Sequence, residues 1–282
     1  MNENSTPIIT LNNGLKMPQL GLGVWKAKDG EEVENAVSAA LEAGYRLIDT
    51  ASVYGNEQGV GKAIKSSGIQ RKDIFVTTKL WNDDQGADKV RPAFQASLDR
   101  LGLDYVDLYL IHWPTPERGL FVETWKEFEK LLSEGKTRAI GVSNFRIEDI
   151  DELKRSCDVL PAVNQIELHP DFSQIELREY CQQNNIYVES WSPLGGVKGS
   201  ILTNQTLADI GAKYAKSSAQ VAIRWHLQNN LVVIPKSVHA DRIKQNIDVF
   251  DFELSSDDMA AIDQLNSDNR QGRDPTTTEY VN

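Results

Sequence analysis

"DIFVTTKLWNDDQGADKVRPAFQASLDRLGLDYVDLYLIH", residues 73–112, reads as strand, helix, strand. "DIFVTTK" and "YVDLYLIH" are short apolar runs rich in β-branched and aromatic residues. Between them Val90, Phe94, Leu98 and Leu101 recur at helical spacing until Gly102. Strands joined through a helical crossover run parallel. Outward from this unit the alternation continues in both directions. "QLGLGV" (19–24), "YRLIDT" (45–50), "RAIGVSN" (138–144), "AVNQIE" (162–167), "IYVESW" (186–191) and "LVVIPK" (231–236) bring the strands to eight. "EEVENAVSAALEAG", "TWKEFEKLLSEGK" and "IEDIDELKRS" supply helices between them, with Gly44 and Gly135 placed as C-terminal glycines.

Eight strands alternating with helices in roughly 250 residues predict an α/β fold, a (β/α)8 TIM barrel. "IITLNNGLKMPQLGLG" predicts an N-terminal β-hairpin turning at Asn13-Gly14, a type I′ signal. "FELSSDDMAAIDQLN" (252–266) predicts a C-terminal surface helix, and the polar tail "SDNRQGRDPTTTEYVN" follows. The rival is a doubly wound open sheet, which carries a glycine fingerprint after its first strand. "GLGVWK" is only G-x-G-x-x-Lys, and "GVGKA" (59–63) has Ala63 where a P-loop needs Ser or Thr. Neither is taken as a phosphate loop. No linker, low-complexity tract or charge run divides residues 1–282, so one barrel domain is expected.

The chain has no run of about 18 apolar residues, and "MNENSTPII" has neither the basic start nor the apolar stretch of a signal peptide, so a cytoplasmic protein is expected. Cys157 and Cys181 follow no CxxC spacing and read as buried thiols. A net charge of −11 argues against a nucleic-acid or anionic-membrane surface, because both need a positive patch. His112, His169, His226 and His239 show no ligand spacing, so no metal is expected.

In a barrel the strand C-termini ring one mouth, and the active site sits there. The ends are Trp25, Asp49, Lys79, His112, Ser143 with Asn144, Gln165, Trp191, and Lys236 with Ser237. Solvated strand ends explain any one of these, but a rim of that kind would be rich in mixed charges. This ring has one acid, a few bases, amides and hydroxyls, and two tryptophans, which suits a flat heteroaromatic ligand.

Tyr54, Asp49, Lys79 and His112 are the candidate catalytic group. A phenol is a poor acid at its ordinary pKa near 10, and a neighbouring ammonium lowers that value. Lys79 is placed to be that cation, with Asp49 to keep it charged. A neutral His112 would orient a carbonyl oxygen beside Tyr54. Each also has an ordinary structural reading: a half-buried tyrosine, an ion pair, a core histidine. Four such residues at three successive strand ends favour chemistry. In "VVIPKSVHADRIKQN" a strand end leads into a helix whose Arg242 and Asn246 share one face, and basic residues beside a helix start suit a phosphate.

These segments resemble the aldo-keto reductases over almost the whole chain, through "GLGVW", "IDTASVYGNE", "TTKLW", "LYLIHWP", "IGVSNF", "NQIELHP", "SWSPLG" and "IPKSVHADRIKQN". The nearest resemblance is to bacterial glyoxal or methylglyoxal reductases, and more distantly to diketogluconate reductases. It implies NADPH/NADP+ bound without a Rossmann domain, reduction of aldehydes and reactive ketones, and a monomer. Tyr54 matches the general acid, supported by Asp49 and Lys79, with His112 orienting the substrate. Ser143, Asn144 and Gln165 match residues that hold the nicotinamide carboxamide, and Trp191 the ring that stacks on it. Gly23, Val24 and Asp49 also match cofactor positions, although Val24 stands where many members have threonine. Ser192 and Leu194 match pyrophosphate contacts. Lys236, Ser237, Val238, Arg242 and Asn246 match the adenosine 2′-phosphate end. Trp25, Tyr54, His112 and Trp113 would line the substrate pocket. The segment "HWPTPERGLFVETW" and the tail after Asn269 are compact, which implies a shallow, permissive pocket. A nucleotide-binding sensor on the same barrel is the alternative, and it would not require Asp49, Tyr54, Lys79 and His112 together.

Overall fold

A computed structural model describes residues 6–196 and 199–276. Eight parallel strands follow one another in chain order: β3 (Leu22–Gly23), β4 (Leu47–Asp49), β5 (Phe75–Leu80), β6 (Val106–Ile111), β7 (Thr137–Ser143), β8 (Val163–Glu167), β9 (Tyr187–Trp191) and β10 (Val232–Val233). β10 returns to the first strand through the parallel bridges Leu20↔Val233 and Gly23↔Lys236, where the Gly21 amide donates to Val233 O at 2.9 Å. The sheet therefore closes on itself, as expected for the barrel.

The hairpin β1 (Ile8–Thr10) and β2 (Lys16–Pro18) lies outside this sheet. Its Ile9, Leu11 and Met17 join Leu47, Phe75, Leu108, Leu110, Val163 and Val232 in an inner apolar cluster, so the hairpin plugs the N-terminal end of the barrel. The turn differs from the type I′ expectation. Only Gly14 has positive φ (84°), and its amide donates to Leu11 O at 2.9 Å. This is a type I turn followed by a left-handed glycine, which widens the loop by one residue.

Alternate strand residues face outward to a second, larger core. Ile48, Val76, Tyr109, Ile111, Ile140, Val142, Ile166 and Val188 meet the helices there. The helices are α1 (Glu31–Ala43), α2 (Glu57–Ser66), α3 (Ala87–Leu101), α4 (Phe121–Ser133), α5 (Ile147–Ser156), α6 (Ile175–Gln183), α7 (Gln205–Tyr214), α8 (Ser218–Gln228), α9 (Ala240–Ile247) and α10 (Ser256–Asp263). In α4, Phe121, Trp125 and Phe128 fall on one face and are buried, with Phe128 stacked on Tyr109 at 4.5 Å between centroids. Gly44 and Gly102 end α1 and α3 in the left-handed conformation. The expected terminal helix is α10, capped by Ser255, which accepts from the Asp258 amide at 3.1 Å.

The glycines of "GVGKA" have a packing role. Gly59 and Gly61 lie inside α2, where a Cβ at 59 would sit 2.4 Å from Val33 and one at 61 would sit 1.9 Å from Leu101 O. They let α2 approach its neighbours closely. Gly61→Ala therefore forces backbone apart and should destabilise the fold by about 1–3 kcal/mol or more. Urea unfolding measures this, and an unchanged midpoint would contradict the close approach.

Candidate active site

The mouth of the barrel holds a cavity of about 830 Å³. Its walls include Gly23, Trp25, Asp49, Tyr54, His112, Trp113, Ser143, Asn144, Gln165, Trp191, Ser192 and Lys236. Asp49, Ser143 and Trp191 end their strands, and His112, Trp25 and Lys236 lie just beyond theirs. Parallel topology alone brings these residues from distant sequence positions to one ring.

Tyr54 reaches the cavity on a 3₁₀ turn, Ser52–Tyr54, that follows β4. Four polar residues around that turn, Thr50, Ser52, Asn56 and Glu57, have fixing contacts. Ser52 Oγ donates to Lys79 O at 2.9 Å, which pins the turn to β5. Asn56 Oδ1 accepts from Thr50 Oγ1 at 2.8 Å, while its Nδ2 donates to Val24 O at 2.9 Å and Ala27 O at 3.0 Å. Glu57 accepts from Thr78 Oγ1 at 2.6 Å and pairs with Arg100. Each such bond contributes about 0.5–1.5 kcal/mol net, and together they set Tyr54 against Lys79.

Lys79 is wholly buried. Its Nζ donates to Asp49 Oδ1 at 2.6 Å and Thr50 O at 2.8 Å, and lies 5.0 Å from the Tyr54 ring centroid. Burial works against the ammonium, but the charges of Asp49, Tyr54 and Glu189 outweigh it and hold the Lys79 pKa above its ordinary value. Burial raises the Asp49 carboxyl, against the pull of Lys79 and Gln165. The Tyr54 phenol is also raised, by burial first, with Lys79 lowering it and Asp49 and Glu189 raising it. Lys79 thus lowers the phenol as expected, but burial outweighs it, and Tyr54 stays a protonated acid. The ring is only half-buried, and its access to the cavity tempers the burial effect.

His112 is 7% exposed and sits edge-on to Tyr54 and Trp81, at 5.7 and 5.3 Å between centroids. Burial, and then the Lys79 charge, hold it well below its ordinary pKa, so it is neutral. Asn144 adopts a left-handed backbone (φ 62°) and links three site residues. Its Nδ2 donates to His112 O at 3.0 Å and Ser143 Oγ at 3.1 Å, and its Oδ1 accepts from Trp191 Nε1 at 2.9 Å. Gln165 Nε2 donates to Asp49 Oδ2 and Glu189 Oε2, each at 2.8 Å.

The Aldo/keto reductase family profile matches residues 19–267. The chain belongs to the aldo/keto reductase family. Its members are NADP-dependent oxidoreductases. The chain is 54% identical over 268 residues to the 9,11-endoperoxide prostaglandin H2 reductase of Trypanosoma cruzi, covering 95% of this chain and 94% of that protein. It is 50% identical over 267 residues to the glyoxal reductase of Bacillus subtilis, covering 95% of each. The crystal structure of a Gox0644 mutant in complex with NADPH has a TM-score of 0.93 and 46% identity, covering 98% of this chain and 100% of that one.

Some residues that the resemblance marked in this aldo-keto reductase lie outside the cavity wall. Val24 is buried in the outer core, its N–H donating to Asp49 O at 3.1 Å and its O accepting from Asn56, so its side chain is turned away from the mouth. Leu194 and Val238 are partly buried against that same core. Ser237, Arg242 and Asn246 lie beyond the mouth, at and within α9, where Ser237 Oγ accepts from the His239 amide at 3.1 Å.

Other reductase residues line the cavity without having been marked. Trp81 and Lys26 could have been found in the sequence, one ending "TTKLW" and one following Trp25. Gln271, Gly272 and Arg273, in the polar tail, also line it, and the first two are placed largely by backbone groups that carry no sequence signal. The amides of Gln271 and Gly272 each donate to one oxygen of Glu167 at 2.8 Å, and a Cβ on Gly272 would sit 2.3 Å from the Trp191 ring. The tail is compact, yet it forms part of the wall.

Removing one member of a buried ion pair costs about 3–5 kcal/mol, because the other charge is stranded. Lys79→Met should lose about that much in chemical denaturation, and Asp49→Asn with Lys79→Met should recover part of it. A loss under about 1 kcal/mol for Lys79→Met would show that the pair contributes no more than a surface one.

Proposed function

We propose that the protein reduces aldehydes and reactive ketones, such as methylglyoxal or glyoxal, to alcohols with NADPH, Tyr54 acting as general acid. The observation that carries this reading is a cavity walled by Asp49, Tyr54 and His112, with the Lys79 ammonium buried behind that wall, 2.6 Å from Asp49 Oδ1 and 5.0 Å from the Tyr54 ring centroid.

The residues present fit the cofactor. With both N–H groups of Gln165 engaged by carboxylates, its Oε1 is left to accept from a carboxamide. Trp191 offers a half-buried ring to the same space. Ser143 and Asn144 flank it, and Ser192 on the same wall, with Leu194 just outside it, would meet the pyrophosphate. Lys236 and Arg242 are exposed, and among the described residues neither makes an ion pair. On a chain of net charge −11, two such cations near the start of α9 suit a 2′-phosphate. Ser237, Val238 and Asn246 complete that end.

When bound, NADPH supplies the hydride that reaches the carbonyl carbon. The substrate oxygen sits between Tyr54 and His112. His112 Nδ1 is buried without a partner, and an unpaired buried N–H costs about 1–3 kcal/mol, so the ring proton belongs on Nε2, where it is donated to the substrate oxygen. Tyr54 gives its proton to that oxygen as negative charge develops there. The resulting tyrosinate is stabilised by Lys79, whose own charge Asp49 maintains. Trp25 and Trp113 bound the outer pocket, an apolar surround that strengthens these interactions.

Tyr54→Phe should lower turnover by about 10²–10⁴-fold while NADPH still quenches tryptophan fluorescence with near-normal affinity; retained turnover would exclude the acid role. Lys236→Ala with Arg242→Ala should weaken NADPH by at least about tenfold and NADH far less. An equal loss for the two cofactors would refute the phosphate site.

A further inference from the structure

Glu189 lies in the middle of β9, wholly buried on the inner face, two residues from Trp191. The reduction scheme leaves it without a task. Its Oε2 accepts from Gln165 Nε2, the nitrogen that also donates to Asp49, while its Oε1 is buried without a partner. One amide thus bridges two carboxyl groups. Two acceptors on one side fix that amide: Nε2 faces the acids and Oε1 is turned away from them.

The charged and titratable groups acting on Glu189 come from across the barrel: Asp49 on β4, Lys79 on β5 and Tyr54 on the turn after β4. Its strand neighbours bring the neutral Gln165 from β8 and Val232 from β10. On the outer face of β9, Val188 shares the apolar core with Cys181 of α6. Two carboxyl groups therefore share one ammonium. Asp49 touches Lys79 directly, whereas Glu189 has only the amide.

We propose that Glu189 is a positioning residue of this reduction site: through Gln165 it fixes the amide face presented to the nicotinamide, and it sets the charge of the layer beneath Tyr54. Its kinetic consequence rests on the carbonyl-reduction reading above. Burial and then the Asp49 charge push the Glu189 carboxyl up to about 8, against the weaker pull of Gln165 and Lys79. Below that pH the layer holds one ammonium and one carboxylate. Above it, a second negative charge opposes proton loss from Tyr54 and slows reduction.

The test uses the full chain with Glu189→Gln and Glu189→Ala. Single-turnover oxidation of NADPH by methylglyoxal is followed from about pH 6 to about pH 10. The wild type should lose rate through a group titrating near pH 8, and Glu189→Gln should move that limb upward by about one unit or more. Glu189→Ala, which leaves Asp49 as the one remaining acceptor of Gln165 Nε2, should bind NADPH several-fold more weakly than Glu189→Gln. Superimposable pH profiles for wild type and Glu189→Gln overturn the proposal.

A second readout needs no turnover. The infrared band of a protonated carboxyl should be present in the wild type at neutral pH, fade near pH 8, and be missing from Glu189→Gln. Its absence from the wild type also overturns the proposal. If the band titrates as expected and no carbonyl is reduced, the buried acid is upheld and the reductase reading fails instead. The folded value lies above the ordinary 4.5, so the group's contribution to stability is complete below about pH 4.5 and lost as pH rises towards 8. The melting temperature of Glu189→Gln should accordingly gain on the wild type across that window.

Discussion

An ammonium enclosed by a barrel is sustained only if its charge is met at contact distance from several sides. Lys79 meets that demand through Asp49 at 2.6 Å and Thr50 O at 2.8 Å, and much of the surrounding sequence follows from it. Asp49 must end β4 facing inward, so the strand runs directly into a carboxylate. The turn after it must hold Tyr54 beside the ammonium, so Ser52, Asn56 and Glu57 each bind a neighbouring strand or loop. His112 must remain neutral, and burial beside a cation makes it so. Beneath this layer the interior is apolar, from Leu47 to Val232, and Ile9, Leu11 and Met17 of the hairpin cover the far end. That dryness is what gives the pair its strength.

The barrel and most of its mouth were legible because both depend on period and position. Strand burial on both faces gives continuous apolar runs, and parallel topology then assigns each run's last residue to one ring. Lys79, His112 and Trp191 follow from that rule alone, while Asp49 stands one residue and Gln165 two residues before the end of its run, and both line the cavity. Val24 shows its limit, since it follows the cavity-facing Gly23 and alternation turns its side chain outward to the helices. The Asn13-Gly14 turn and the "GVGKA" glycines were ambiguous for a related reason. A glycine signals freedom or closeness, but only the neighbours, here Leu101 O and Val33, say which.

The residues that stayed hidden act through groups that carry no sequence signature. Gln271 and Gly272 hold Glu167 with backbone amides, which every residue but proline possesses. Glu189 in "IYVESW" carries no mark of its depth, because period two alone does not say which face of a strand is interior. Once Trp191 is known to face the cavity, Glu189 must share its side. An acid at that depth then needs its own account.

On the proposed reading the two ends of the site handle positive charge in opposite ways. Lys79 is stripped of water, so its field on Tyr54 is little screened, and the desolvation that burial imposes is offset by Asp49. Lys236 and Arg242 remain hydrated and unpaired among the described residues, so they meet a phosphate with little desolvation and moderate strength. A cofactor that must leave after each turnover requires the second arrangement, whereas a proton that must move in the transition state requires the first. The barrel separates them in space, placing the enclosed cation on β5 and the exposed ones where the chain leaves the sheet for α9.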